Sequence, residues 1–396
     1  MITTGFGFIT FIFTSLAIYL WISNKYENCK LFKVVPPLLF MYIFFVAATN
    51  LGLFDMGAES AVLATKKAMT TYGVPLLVYA VIVQSNPRKI LKLGPKMITC
   101  FLVTAASIIL GTVVSALIFN GKLGIGDIPE TYGTLVASFI GGPENLFAVA
   151  DGISLSDEAL SNVLILVEVI YSPWLIFLMC GLPLLWNKFN KFTNADLVPV
   201  EEAGSRIDLN DRESRQATVA DVYKIVGIGV LLETVCLWLG NLINSFIPSW
   251  PPGVLMYILM TIAAMILGEK TDLGRNPFVK PFATAICLTQ VAIGTLGVDL
   301  SYFMSAGWLL AASGTILLIH VIIMIIYAKL SRTDIYTLGC ASIAAIGGNS
   351  SAPVVAAVYV EKSDAYISIA TIMAAFGSII GTVGGLFIVR ILHLIL

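Results

Sequence analysis

The stretch IYTLGCASIAAIGGNSSAPVVAAVYVE, residues 335–361, places a polar, glycine-centred break between two apolar arms. At membrane depth, non-helical backbone survives only where it is buried in protein or lines a cavity that binds something. A second stretch, TYGTLVASFIGGPENLFAVA at 131–150, carries the same break. Thr131, Gly133, Gly141 and Gly142 stand 206 residues before Thr337, Gly339, Gly347 and Gly348. Two such segments, one in each half of a chain, are the sequence signature of a binding site in a secondary transporter built from repeats.

The rest of the chain supplies the setting. With 58% hydrophobic and 12% charged residues and a mean hydropathy of +0.92, it is too apolar for a soluble domain of 396 residues and reads as a polytopic membrane protein. A net charge of -1 gives no reason to expect a nucleic-acid partner; the partners implied are the lipid bilayer and a small solute. The six cysteines are scattered without a CxxC pair, which suggests neither a metal knot nor a disulfide framework. The first apolar run, Gly5–Ile22, lacks a basic leader and is followed by Lys25, Lys30 and Lys33, so it is expected to stay in the mature protein.

Apolar runs of about spanning length fall at 5–23, 36–54, 72–86, 97–119 and 160–186, with the first break between the last two. Residues 187–220 turn polar and charged and read as a cytoplasmic linker. Runs then recur at 221–243, 252–268, 278–297, 303–328 and 365–393, with the second break before the last. Pro36-Pro37 and Met41-Tyr42 return as Pro251-Pro252 and Met256-Tyr257. Pro75, Gln84 and Ser107 fall on Pro281, Gln290 and Ser313 at the same offset of 206. Ordered identities at constant spacing indicate internal duplication.

If each broken segment is a hairpin that enters and leaves on one side, each half crosses five times and the second half is inverted. With both termini outside, every one of the 23 Lys and Arg except Lys66, Lys67, Lys122 and Arg390 then lies inside. That obeys the positive-inside rule, whereas twelve full crossings would scatter the charges. A broken helix that crosses fully is the geometric rival. The expected fold is therefore all-α, with two inverted-topology repeats, about ten crossings and two re-entrant or broken-helix segments. Residues 1–186 form the first repeat (scaffold 5–54, core 72–186) and residues 221–396 the second (scaffold 221–268, core 278–393).

IGGPENLFAVAD, followed by a helix carrying Asn162 and Glu168, and AAIGGNSSAPVVAAVY together resemble the YjcL-like family of membrane proteins of unknown function, over nearly the whole chain. More remotely the architecture is similar to that of the sodium/glutamate symporters. What this resemblance implies is secondary transport by an elevator-like movement of a core against a scaffold, in a homodimer, with no substrate named. The family commonly has Ser where this chain has Pro143-Glu144, so the acid at that tip is a departure.

Freed carbonyls at each break can coordinate a dehydrated cation, and N–H groups opening the next arm can hold an anion. Gly141, Gly142, Gly347 and Gly348 permit close approach, and Asn145, Asn349, Ser350 and Ser351 add neutral oxygens and donors. The plain alternative is that small residues merely let helices pack closely. Glu168, inside an apolar run, is read as a cation ligand or proton carrier, or as a protonated structural acid; Glu144 at the tip is the second ion-coupling candidate. Sodium is expected near Glu144, Glu168, Asn349 and Ser350. Gln84 and Gln290 either bind substrate or close a core contact. His320 reads as a packing residue and Glu233 as part of the scaffold.

Gly124-Ile125-Gly126-Asp127 mimics an intramembrane protease motif, but no second intramembrane Asp partners it, and no GxxxxGK[ST] loop is present. No enzyme and no cofactor is therefore expected. The function read from the sequence is a sodium- or proton-coupled carrier of a small amino acid, carboxylate or short peptide in the cytoplasmic membrane. A passive channel or a non-transporting sensor is the alternative.

Overall fold

The computed structural model describes residues 1–26, 37–57, 59–85, 87–122, 127–207, 215–248, 250–294, 307–359 and 363–396. The side chains of Glu168, Asn349 and Ser350 lie outside the described residues, as do Pro36, the glycines of 124–126 and the ends of two runs, at 295–297 and 303–306.

The order of elements follows the hydropathy pattern. The first run becomes α1 (Gly5–Lys25), capped by the Thr4 hydroxyl, which accepts from Gly7 N. Then come α2 (Pro37–Asn50), α3 (Ala61–Ile82), α4 (Pro87–Lys92) and α5 (Gly94–Phe119). The first broken segment forms α6 (Ile128–Gly141) and α7 (Pro143–Gly152). After it, α8 (Asp157–Ile176) opens on a Ser156 cap with Asp157 and Glu158 in its first turn, where the helix dipole favours acids. It passes through one π-helical turn (Phe177–Gly181) into α9 (Leu182–Thr193). The linker holds α10 (Val198–Arg206).

The second half begins with α11 (Val219–Phe246), started by a reciprocal Thr218–Asp221 capping box. It continues with α12 (Pro252–Lys270), a 3-10 turn at Asp272–Arg275, α13 (Val279–Gly294) and α14 (Gly307–Ser331). The second broken segment forms α15 (Ile335–Ile346) and α16 (Gly348–Ala356), and the chain closes on α17 (Ser363–Ile395). Among the described residues there is no β-strand, only an isolated bridge between Ile2 and Phe54. Six helical stretches among these residues are long and apolar enough to cross a bilayer: Gly5–Lys25, Gly94–Phe119, Val219–Phe246, Pro252–Lys270, Leu310–Ser331 and Asp364–Ile395. The chain is a helical, multi-pass membrane protein.

Three extents differ from the sequence expectation, each for a physical reason. Helix α3 begins at Ala61 rather than near 72, because the Lys66 ammonium that breaks the apolar run is buried against Asp157 at 2.8 Å. The run at 160–186 is helical over 157–193, since the π turn absorbs an extra residue without ending the helix. The stretch 187–220 is not solely a polar linker. Val200 and Ala203 of α10 are fully buried, and Gly204 meets Ala365 so closely that a Cβ there would sit 3.0 Å from its Cα.

Helix α17 is the spine of the molecule. At about 1.5 Å per residue its 33 residues reach about 50 Å, more than the hydrocarbon core needs. Arm α6 runs antiparallel to it: Glu130 meets His393, Gly133 meets Gly385 and Val389, and Gly141 meets Gly377. Arm α7 runs back parallel to it, because Asn145 meets Gly381 while Val149 joins Ala137 at Gly385. The first broken segment is thus a hairpin. The second is too: Cys340 reaches Tyr366 O and Ala344 lies near Gly377, so α15 runs parallel to α17. Beyond α16 the chain returns to stack Tyr359 on Tyr336 with ring centroids 4.2 Å apart.

The hairpins are rooted at opposite ends of α17. The first is tied where His393 Nε2 meets Glu130 Oε1 at 2.7 Å, the second where Tyr366 OH donates to Asp334 Oδ1 at 2.8 Å. Helices α5 and α14 cross the same core antiparallel, through Thr104–Met324, Ser107–His320, Gly111–Ile316 and Ser115–Ala312 in turn. Charges divide between the two ends of this bundle. At the Tyr366 end, Lys96 donates to Asp196 O and Arg332 O, Lys329 donates to Phe192 O, and Arg206 lies against Gly94. At the His393 end, Lys66 pairs with Asp157, Lys122 lies over Trp308 and Arg390 over Trp250.

Candidate functional site

The two breaks meet. Gly142 (φ +90°, ψ 179°) and Gly348 (φ +61°) take backbone conformations that favour glycine, and they lie against each other. A Cβ on Gly142 would stand 3.1 Å from Gly348 Cα; one on Gly348 would stand 3.1 Å from Gly142 Cα and 3.2 Å from Gly141 O. The seam is therefore backbone on backbone. Its floor is α17, where a Cβ on Gly377 would be 2.4 Å from Ile140 O. Seam and floor lie near the middle of that helix, which puts irregular backbone at the depth where it must be enclosed by protein or face a site.

Polar side chains converge beside the seam. Asn145 Oδ1 accepts from Thr382 N at 3.0 Å and from Thr382 Oγ1 at 2.5 Å, while its Nδ2 donates to Gly141 O at 2.8 Å. This one amide clamps the tip of the first hairpin to α17 and satisfies a carbonyl that the break leaves open. Glu144, buried at the tip, accepts from Ser378 Oγ at 3.2 Å. On the other hairpin, Ser351 pairs with Tyr171 OH of α8. Among the described side chains the group contains one carboxylate, with hydroxyl, amide and carbonyl oxygens around it. That chemistry suits a monovalent hard cation or the donor groups of a small solute better than a transition metal. Among the described residues no three His, Cys, Asp or Glu gather as a metal site.

A second polar cluster fixes the root of the other hairpin. Asp334, 1% exposed, accepts from Thr337 N at 2.9 Å, Thr337 Oγ1 at 2.6 Å and Tyr366 OH at 2.8 Å, so three donors are spent on one carboxylate. Trp186, Tyr336 and Tyr359 stack above it. A chain of Ser107, His320, Ser342 and Trp174 ties α5, α14, α15 and α8 together, with His320 Nδ1 2.7 Å from Ser107 Oγ and Nε2 2.9 Å from Ser342 Oγ. His320 is thus a hydrogen-bonded core residue. Asp151, at the end of α7, accepts from Tyr257 OH of α12 at 2.6 Å.

The structure brings Gly141, Gly142, Glu144, Asn145, Gly347, Gly348 and Ser351 to one place. Asn349 and Ser350 open α16 beside them and Glu168 lies in α8, with all three side chains outside the described residues. Gln290 is held apart from this group: its Nε2 donates to Met69 O at 3.0 Å and joins α13 to α3. Gln84 donates to Ala80 O at 2.6 Å at the end of its own helix. Sequence reading leaves out Ser378 and Thr382, the two α17 residues that hold the first tip. Ser378 carried a signal, since it stands 206 residues after Ser172, at the offset of the glycine pairs; Thr382 carried none, since Ile176 occupies the matching position.

No curated protein is significantly similar to this chain. A profile described as a protein of unknown function, DUF819, matches residues 10–395, which is nearly the whole length. The chain therefore belongs to the DUF819 family of proteins of unknown function.

Proposed function

We propose that the protein is a secondary active carrier that binds a small organic solute and a coupling cation at the seam between its two hairpins. The observation that carries this reading is the tip-to-tip meeting of Gly142 and Gly348, from hairpins rooted at opposite ends of α17, with Glu144, Asn145, Ser378 and Thr382 beside it. A site reached by one hairpin from each side is what alternating access requires. Among the described residues no second acid stands beside Glu144 at the seam, and the proposal is a carrier rather than an enzyme.

The finer reading is a pair of inverted repeats, similar to the YjcL-like proteins and more remotely to sodium/glutamate symporters. Its support is the matching of contacts at the 206-residue offset. Gly141 meets Gly377 of α17 as Gly347 meets Tyr171 of α8, and 206 residues separate Gly141 from Gly347 and Tyr171 from Gly377. Equivalent helices α5 and α14 lie antiparallel, as an axis in the membrane plane demands. In this reading the protein sits in the cytoplasmic membrane with both termini outside. The lysine- and arginine-rich Tyr366 end faces the cytoplasm. The core moves elevator-fashion against α1, α2, α11 and α12, and two copies pair through that scaffold.

The test is uptake by proteoliposomes of amino acids, dicarboxylates and dipeptides under an inward sodium gradient, with potassium and proton gradients in parallel. Gradient-driven accumulation of one class supports the carrier. Binding without uptake would make it a sensor, and uptake that follows only the solute's own gradient, with conductance, would make it a channel.

A further inference from the structure

Among the described residues, three buried hydroxyls on the first arm lack the partner that most others have. Buried Ser and Thr in membrane helices ordinarily bond the carbonyl four residues back, and here Thr104, Thr112, Thr261 and Thr289 do so at 2.8–3.0 Å. Thr131, Thr134 and Ser138 do not. Each is at most 2% exposed, and none of their hydroxyl oxygens has a hydrogen-bond partner. Unpaired buried polar atoms are rare in native proteins and each calls for a partner of some kind.

Their spacing, i, i+3 and i+7, puts them in one stripe along α6. At 100° per residue that stripe lies roughly a quarter-turn around the arm from Gly133, Ala137 and Gly141, the face seated on α17. It starts next to Glu130, at the root of the hairpin, and ends at Ser138, whose carbonyl accepts from Gly142 N at 2.8 Å. Asn162, 4% exposed on α8, which packs beside α6, also has its amide nitrogen unpartnered. A ladder of hydroxyls leads from the His393 end of the molecule to the seam, about 10 Å long at 1.5 Å per residue.

We infer that Thr131, Thr134 and Ser138 line a hydrated path by which a monovalent cation reaches the Glu144–Asn145 tip from the His393 end. Neutral hydroxyl oxygens at one-turn intervals replace part of the hydration shell of a hard cation without trapping it, since none carries charge. The stripe gives the first arm two jobs on two faces: one packs it onto α17, and the other carries the ion. The inference takes the ion's destination from the carrier reading.

The experiment uses the full-length protein in detergent, with its six cysteines replaced and single cysteines placed at Thr134, Ser138 and, as a control on the same arm, the buried Leu135. A small cationic methanethiosulfonate is applied in sodium chloride and again in potassium chloride. Thr134→Cys and Ser138→Cys should react at least tenfold faster than Leu135→Cys, and sodium should slow both severalfold. Rates no faster than the control overturn the path. Fast rates indifferent to the cation also overturn it, leaving a water-filled crevice.

A second measurement covers a perturbed cysteine variant. In a dry core the isosteric Thr134→Val together with Ser138→Ala should raise the thermal midpoint equally in both salts, because unpaired hydroxyls are removed. On the path, the same pair should abolish the extra midpoint that sodium gives over potassium; an undiminished sodium increment counts against the proposal. Both readouts are made without any transported solute. A failure of uptake in proteoliposomes would overturn the carrier while leaving these results intact, and the reverse holds as well.

Discussion

Gly142→Ala puts a methyl group into the seam, and its cost follows from two terms. A backbone at φ +90° and ψ 179° lies where only glycine is comfortable, a strain of about 1–3 kcal/mol for any other residue. The new Cβ would also stand 3.0 Å from Glu144 Oε2 and 3.1 Å from Gly348 Cα. The carboxylate can swing away, but the facing Cα belongs to backbone held on α17. Overpacking of that kind costs roughly 1–3 kcal/mol. The total expected loss is about 2–6 kcal/mol. The control is Gly314→Ala in the exposed middle of α14, where a Cβ meets nothing within 4 Å and helix propensity favours Ala by roughly 0.5–1 kcal/mol. The assay is the apparent thermal midpoint of the purified protein in detergent, with solute uptake measured alongside. Gly142→Ala should fall below wild type and lose uptake, while Gly314→Ala should stand at or above it. A Gly142→Ala protein as stable as wild type would refute the close apposition of the two tips.

Other substitutions probe the surrounding contacts. Asn145→Ala removes a clamp of three hydrogen bonds and should destabilise by about 2–4 kcal/mol at roughly 1 kcal/mol per bond. Asn145→Asp, which keeps the acceptor for Thr382, should lose less, as read by the same midpoints. Tyr257→Phe takes the donor from the half-buried Asp151 carboxylate and should cost about 1–3 kcal/mol, checked by thermal unfolding against the exposed Tyr223→Phe. His320→Ala takes one hydrogen bond each from Ser107 and Ser342 and opens a cavity, so it should destabilise more than His320→Gln, which retains a hydrogen-bonding side chain. A transported solute at about a hundred times its dissociation constant should add roughly 2.7 kcal/mol in sodium and less in potassium, seen as a midpoint shift that Glu144→Gln diminishes.

Much of this architecture was legible because bilayers impose a simple code. Apolar runs predict helices, and a Gly-Gly pair with Pro143 or Asn349 just past it predicts where the ladder stops. Charged residues obscured the code in two places. Lys66 hid the first turns of α3 because its partner, Asp157, is 91 residues away, and the acids around Val200 and Ala203 hid a packed helix in the linker. The clamp on the first tip was invisible for a related reason. Asn145 and Thr382 are 237 residues apart, and no local pattern encodes such a pairing. Gln84 and Gln290 show the opposite failure. Their positions match at the 206-residue offset, yet one bonds its own helix and the other a neighbour's carbonyl, so correspondence in sequence did not carry a common contact.

The seam between the tips has a consequence for how such a protein could diversify. Its two faces are made of peptide units, atoms that every residue contributes alike, so no exchange of one side chain for another can retune the chemistry of the seam itself. Substitution there changes only the gap. If the protein is the carrier proposed above, its selectivity is written in the neighbouring ring of Glu144, Asn145, Ser351, Ser378 and Thr382, whose members can vary while the seam stays constant.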